Sequence, residues 1–104
     1  MNNRIARIAE EYGYDAQSRQ CIEEMAELTQ AINKFWRKQL KCGKVELGDA
    51  NFRNEEYENL VEEIADTQIM LEQMKIFLDC EALAKETVEA KLDRQIERIT
   101  NRKA

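Results

Sequence analysis

Apolar residues recur along most of the chain at the three- and four-residue spacing of an α-helix. A first stripe consists of Cys21, Met25, Leu28, Ile32 and Phe35. A shift of 39 positions maps it onto a second stripe of the same phase, Leu60, Ile64, Thr67, Leu71 and Met74. We interpret both stripes as the core-facing sides of two helices that repeat one design. Strand-like alternation is not convincing anywhere in the chain.

The breaks between helices are few, because the chain has no proline and only three glycines. This composition predicts long helices. We expect four, over about residues 2–12, from a cap at Asp15 to about 38, over about 55–78, and from a cap at Asp79 to about 100. Residues 40–54, which contain Gly43 and Gly48, form a predicted loop. The expected fold is a single all-α domain over residues 1–104, a four-helix bundle whose second and third helices form a central antiparallel hairpin.

Two pairs of carboxylates flank the two stripes at corresponding positions, Glu24 with Glu27 and Glu63 with Asp66. Side chains at i and i+3 of a helix have Cβ atoms roughly 5–6 Å apart, close enough to share an ion. The neighbouring acids Glu23 and Glu62 point farther round, towards solvent. These phases predict that the hairpin brings four carboxylates together.

Ordinary surface acids on amphipathic helices are the common alternative for such pairs. Two facing flanks would, however, concentrate four negative charges that repel each other without cations. Oxygen-only ligation suits Mg²⁺, with Mn²⁺ as a substitute, better than zinc or copper. A ferritin-like di-iron site uses Glu-x-x-His motifs, and this chain has no histidine. We therefore predict a Mg²⁺ site formed by Glu24, Glu27, Glu63 and Asp66.

Charge and cysteine content narrow the function further. Sixteen basic against 21 acidic residues give a net charge of −5, which argues against a general nucleic-acid binder. The absence of histidine removes Ser-His-Asp triads and the usual zinc sites. Cys21, Cys42 and Cys80 are widely spaced, as expected for reduced thiols, and no apolar run is long enough to span a membrane. We expect a cytoplasmic protein.

The residues Ile22-Glu23-Glu24-Met25-Ala26-Glu27-Leu28, together with Gly13, Gln17, Ala31, Ile32 and Lys34, resemble the MazG-like all-α nucleoside triphosphate pyrophosphohydrolases. The family's signature is an ExxE motif followed on the next helix by ExxD. Glu24-x-x-Glu27 and Glu63-x-x-Asp66 match it position by position, and the resemblance covers most of residues 13–98. The 34 residues between Glu27 and Glu62 exceed the spacing of compact members.

The resemblance implies hydrolysis of a nucleoside or deoxynucleoside triphosphate between its α and β phosphates, giving a monophosphate and pyrophosphate. It also implies a homodimer or a dimer of dimers. Glu27 and Glu63 are the candidates for the carboxylate that accepts the proton of the attacking water.

Basic residues gather on one side of the last predicted helix, opposite its acids: Lys91, Arg94, Arg98 and Arg102. Lys91 and Arg94 resemble a phosphate-contacting stretch of the family, and so does Lys34 on the second helix. We take Lys34, Lys91, Arg94 and Arg98 as the predicted substrate-binding residues. A solvated face, or contact with an acidic partner subunit, explains the basic stretch about equally well.

A non-enzymatic function is the alternative to hydrolysis. A helical dimerisation or adaptor module could use the acidic flanks to bind a basic partner. A homodimer is expected in either case, because the stripe of the central hairpin is too wide for the first and last helices to cover fully.

Overall fold

This computed structural model describes residues 3–39 and 54–103, and three α-helices contain all of these residues except 54 and 78–80. Helix α1 spans Asn3–Gln39, α2 spans Glu55–Phe77 and α3 spans Glu81–Lys103. No strand occurs in these two ranges, so the all-α class is confirmed for them. The predicted loop lies outside the described residues apart from Asn54, and so does Cys42. No helix in the described ranges is long and apolar enough to cross a membrane.

The helix is interrupted at Gly13, where the sequence predicts a boundary, but the two helical segments of α1 join there at a kink without a loop between them. Gly13 has φ 83° and ψ 166°, a conformation that side chains disfavour and glycine permits. No atom lies within 4 Å of a Cβ built at this position, so the backbone angle and not crowding requires glycine. Asp15, the predicted N-cap, lies within α1, where its carbonyl accepts a hydrogen bond from Ser18 Oγ at 3.2 Å.

Helix α2 begins where the sequence predicts. The side chain of Asn54 accepts a hydrogen bond from the backbone N–H of Tyr57 at 2.8 Å and caps the helix. Glu55, Glu56 and Glu58 occupy the first turn, where negative charge is favoured by the helix dipole.

The prediction that Asp79 caps the last helix is wrong, because Asp79 lies in the turn that follows the C-cap of α2, Leu78. The backbone of Asp79 has φ 48°, in the left-handed region. The Asp79 N–H donates to the Ile76 carbonyl at 3.2 Å and the Cys80 N–H to the Lys75 carbonyl at 3.1 Å, the hydrogen-bond pattern of a Schellman motif. The Cys80 carbonyl then accepts from the Ala84 N–H at 2.8 Å and opens α3.

Helices α1 and α2 pack as the predicted antiparallel hairpin. Gln17 Nε2 donates to Gln73 Oε1 at 2.9 Å, and Thr67 Oγ1 donates to the Glu24 carbonyl at 3.4 Å. As α1 advances from Gln17 to Glu24, its partner in α2 recedes from Gln73 to Thr67. We call the contact surface between these helices the seam.

The stripe that the sequence predicts as core on α1 is divided between the seam and the surface. Cys21 is buried and Leu28 and Phe35 are half-buried, whereas Met25 is 41% exposed and Ile32 is 49% exposed. The centre of the seam lies farther round the helix, where Ala31 is buried.

The stripe of α2 divides at the corresponding positions. Thr67 is buried and Leu60 and Met74 are half-buried, while Ile64 and Leu71 are 43% and 46% exposed. Because the two helices are antiparallel and share one phase, the exposed residues of both lie on the same side of the hairpin. The expectation that these residues form the core of one protomer is wrong.

Helix α3 stands apart from the hairpin. It contains no buried residue and packs only against α2, and no Cα atom of α3 lies within 8 Å of a Cα atom of α1 among the described residues. The radius of gyration is 17.2 Å, against about 13 Å for a compact domain of this length. The described helices of one chain therefore do not complete a four-helix bundle.

The left-handed conformation of Asp79 generates a stability prediction. We expect Asp79→Gly to raise the free energy of unfolding by about 0.5–1 kcal/mol, because glycine adopts this conformation without a Cβ penalty. Asp79→Ala removes the same carboxylate but keeps a Cβ, so it should be less stable than Asp79→Gly. Urea unfolding followed by circular dichroism measures both. Equal stabilities of the two variants would contradict the backbone explanation.

Candidate metal centre

Three of the four predicted ligands meet across the seam. Carboxylate oxygens of Glu24 from α1 and of Glu63 and Asp66 from α2 all lie within 4.8 Å of one another. We call these three residues the acidic cluster. The antiparallel register brings Glu24 opposite α2 at this height, since the Glu24 carbonyl accepts a hydrogen bond from Thr67, the residue after Asp66. The i and i+3 spacing then places Glu63 and Asp66 on adjacent turns of one face.

Two oxygens of the acidic cluster are buried without a partner. Oε2 of Glu24 and Oε2 of Glu63 have no hydrogen-bond partner among the described residues. The other oxygen of Glu24 accepts a hydrogen bond from Gln20 Nε2 at 2.8 Å. An unsatisfied buried acceptor costs about 1–3 kcal/mol, so a cation or a donor that reaches these two atoms would remove that cost.

Electrostatic repulsion within the cluster acts on Glu63. Burial, followed by the negative charges of Glu27, Glu24 and Asp66 and by the hydrogen bond that a protonated Glu63 can donate to Glu24, raises the pKa of the Glu63 carboxyl above its ordinary value. Each of these causes disfavours the ionised form. A divalent cation at the cluster would offset the repulsion between these carboxylates, because it places positive charge directly beside them.

Glu27, the fourth predicted ligand, is exposed and does not belong to the group of three. Its negative charge is nonetheless the largest cause of the raised pKa of Glu63 after burial. It also shares a pocket of about 160 Å³ with Glu63. The structure therefore places Glu27 beside the acidic cluster, at the pocket.

The pocket lies between α1 and α2, and its polar lining comes from both helices: Glu27, Gln30, Lys34, Glu56, Asn59 and Glu63. Lys34, one of the predicted substrate-binding residues, is thus brought together with the acids. Gln30, Glu56 and Asn59 are not among the predicted site residues. Gln30 follows Glu27 by three positions and Asn59 precedes Glu63 by four, so helical spacing alone could have indicated them.

The other predicted substrate-binding residues are not brought to the pocket of their own chain. Lys91, Arg94 and Arg98 are exposed on α3, and none of them lines the pocket. Glu23 and Glu62 are exposed, as their helical phase predicts, and lie outside the acidic cluster.

The donor set fits a hard divalent cation. It consists of carboxylate oxygens alone, which suits Mg²⁺ or Mn²⁺, and two of these oxygens lack any other partner in the described chain. Nothing in this arrangement favours a soft metal.

Comparison with protein-family models, curated proteins and solved structures finds no match for this chain. The resemblance to the MazG-like family therefore stays a prediction that rests on the residues themselves.

The raised pKa of Glu63 predicts how stability depends on pH in the absence of divalent cations. The folded state holds the Glu63 proton more tightly than the unfolded chain, whose reference pKa is 4.5. Stability should therefore rise as pH falls from neutrality through the raised pKa, until it reaches the unfolded value. At neutral pH, Glu63→Gln should be more stable than the wild type, and this advantage should shrink as pH falls. Thermal unfolding in EDTA at several pH values measures the effect.

Glu23→Gln is the matched control, because it removes the same charge from an exposed acid outside the acidic cluster. It should follow the wild-type pH dependence. Parallel pH profiles for Glu63→Gln and the wild type would contradict the electrostatic account.

Proposed function

We propose that this protein is a metal-dependent nucleoside triphosphate pyrophosphohydrolase, acting on a nucleoside or deoxynucleoside triphosphate to give a monophosphate and pyrophosphate. The observation that carries the proposal is the acidic cluster, in which two helices bring three carboxylates within 4.8 Å and leave two buried oxygens without partners. A solvated helix face does not need such an arrangement.

Glu24, Glu63 and Asp66 would hold the cation, with Glu27 beside them at the pocket. When bound, Mg²⁺ would neutralise charge on the phosphate oxygens and act as a Lewis acid. The protein's part is to hold the carboxylates in place before substrate arrives. The seam does this for Glu24 and Glu63, because both are half-buried between the packed helices.

Glu27 and Glu63 would be the residues that accept the proton of the attacking water. The water oxygen would form a bond to the α-phosphorus while the bond from that phosphorus to the α–β bridging oxygen breaks. Pyrophosphate would then leave with the bridging oxygen, and the water proton would pass to a nearby carboxylate. Both glutamates line the pocket in which this would occur. Glu63 would also hold the cation, whereas Glu27 lies outside the group of three ligands, so the Glu27 carboxylate would be the freer of the two to accept the proton.

Lys34 supplies the positive charge at the pocket. Its ammonium group can pair with phosphate oxygens and stabilise the negative charge that develops on the leaving pyrophosphate. At about 160 Å³, the pocket is smaller than the roughly 300–1,000 Å³ of typical ligand sites. It therefore suits the phosphates and the cation, while the base and sugar would extend beyond it.

A helical dimerisation module is the second candidate function. The exposed apolar residues on α3 and on one side of the hairpin favour association. This alternative does not account for carboxylates that are partly buried against one another, so it ranks second.

Metal binding can be tested without substrate. Millimolar Mg²⁺ or Mn²⁺ should raise the melting temperature of the wild type, because the cation binds the folded state and relieves carboxylate repulsion. Glu24→Gln and Asp66→Asn should lose most of this shift, whereas Glu23→Gln should keep it. Thermal denaturation with and without metal measures all four proteins. An increase in melting temperature of equal size in all four proteins would contradict a metal centre formed by the acidic cluster.

Activity is tested by pyrophosphate release. We expect release from at least one of the standard or oxidised ribo- and deoxyribonucleoside triphosphates, dependent on Mg²⁺ or Mn²⁺. Glu24→Gln and Asp66→Asn should lower the rate by about 10- to 100-fold or more, with Glu23→Gln close to the wild type. Failure of the wild type to release pyrophosphate from any of these substrates would refute the enzymatic function.

A further inference from the structure

Gln20 holds one oxygen of the acidic cluster without belonging to the cluster. Its side-chain amide lies one turn before Glu24 on α1 and donates a hydrogen bond from Nε2 to Glu24 Oε1 at 2.8 Å. Because a carboxylate only accepts hydrogen bonds, the amide must turn its NH₂ group and not its carbonyl oxygen towards Glu24. Gln20 is not among the predicted site residues, and it does not line the pocket.

The two carboxylate oxygens of Glu24 have different surroundings. Oε1 accepts the hydrogen bond from Gln20, whereas Oε2 is buried and has no hydrogen-bond partner among the described residues. A cation that approached Oε1 would meet the positive end of the amide dipole. Oε2 offers the cation free lone pairs instead. Glu24 would therefore bind a cation through Oε2 alone.

Glu24 is held through its backbone as well as its side chain. Its backbone carbonyl accepts a hydrogen bond from Thr67 Oγ1 at 3.4 Å. Gln17, nearly one turn before Gln20, is fixed to α2 by its hydrogen bond to Gln73 at 2.9 Å. Gln20 and Glu24 are both half-buried, which restricts the rotamers that they can adopt. The packed helices thus present one defined oxygen of Glu24 before any cation binds.

We infer that Gln20 is a positioning residue that makes Glu24 a one-oxygen ligand and thereby selects Mg²⁺ or Mn²⁺ against Ca²⁺. Mg²⁺ demands near-octahedral geometry, whereas Ca²⁺ takes roughly 6–8 oxygens and often binds both oxygens of one carboxylate. The two oxygens of a carboxylate are too close together to fill neighbouring octahedral positions. A Glu24 restricted to Oε2 suits the smaller ions and denies Ca²⁺ an oxygen that it would use. This inference rests on the metal centre of the proposed function.

A neutral donor is the suitable residue type for this role. The amide of Gln20 occupies one oxygen of Glu24 and leaves the negative charge of the carboxylate in place. A lysine there would instead cancel that charge and repel the cation, as expected from the pairing of Lys75 with Glu72 at 2.8 Å elsewhere in α2. Gln20 therefore orients the carboxylate without competing with the cation for it.

Binding of Mn²⁺ and Ca²⁺ to the full chain tests the inference without substrate. Gln20→Met keeps an unbranched side chain of similar length, removes the donor and frees Oε1 of Glu24. The ratio of the Ca²⁺ to the Mn²⁺ dissociation constant should fall about tenfold, because Mn²⁺ loses a fixed ligand and Ca²⁺ gains an oxygen. Electron paramagnetic resonance of free Mn²⁺ measures its binding, and competition in the same sample measures that of Ca²⁺.

Gln95→Met is the matched control, because Gln95 is an exposed amide on α3, outside the acidic cluster. It should keep both dissociation constants, and circular dichroism in EDTA should show that both variants keep their helices. If Gln20 only stabilised α1, Gln20→Met would weaken both cations by the same factor or neither. Either result would overturn the inference and leave the metal centre standing. A wild type that binds neither cation would overturn both.

A second substitution at the same position gives an independent check. Gln20→Glu also removes the donor, and it places further carboxylate oxygens beside Glu24. Ca²⁺ accommodates more oxygens than Mn²⁺ does, so its affinity should increase more, and the ratio of the two dissociation constants should again fall. A ratio equal to that of the wild type would overturn the inference.

Discussion

The packing of α1 against α2 is the contact on which the site depends, and it is unusually polar. Gln17 and Gln73 are both buried and hydrogen-bonded to each other at 2.9 Å. A slip of one helix along the other would leave both amides unpaired in the interior, at a cost of about 1–3 kcal/mol for each lost partner. The pair therefore fixes the register of the hairpin. That register in turn sets which residues of α2 lie opposite Glu24.

The same register puts two carboxylates that repel each other, Glu24 and Glu63, into the seam. Glu24 and Glu63 each have a buried oxygen without a partner, and their proximity contributes to the raised pKa of Glu63. Apolar residues at these positions would stabilise the hairpin better, since they would carry neither repulsion nor desolvation. Acids in a seam are instead consistent with a binding site whose local stability is reduced until its ligand arrives. The same carboxylates, Glu24 and Glu63, thus make the seam polar and would hold the cation of the proposed reaction.

The sequence predicts the features that depend on local spacing and misses those that depend on neighbours. Helical phase and the 39-residue repeat were enough to predict that Glu24 lies close to Glu63 and Asp66. Phase could not show that the seam avoids Met25, because a stripe indicates which side of a helix is apolar and not what covers it. Asp79 is a residue type found both at N-caps and in left-handed turns, and only the path of the chain from α2 to α3 decides between them.

Few apolar side chains are buried in the described part of one protomer: Ala9, Cys21, Ala31 and Met70. Three of these four are small residues, so their burial removes little apolar area from water. Such a core gives one chain little stability of its own. More apolar surface lies in an open groove of about 980 Å³ that α1, α2 and α3 line with residues such as Ile5, Ile69, Leu71 and Val88. If a second copy fills it, association supplies part of the folding free energy, and stability then increases with protein concentration. The acidic cluster would share in this effect, because α2 contributes Glu63 and Asp66 on one side and lines the groove on another.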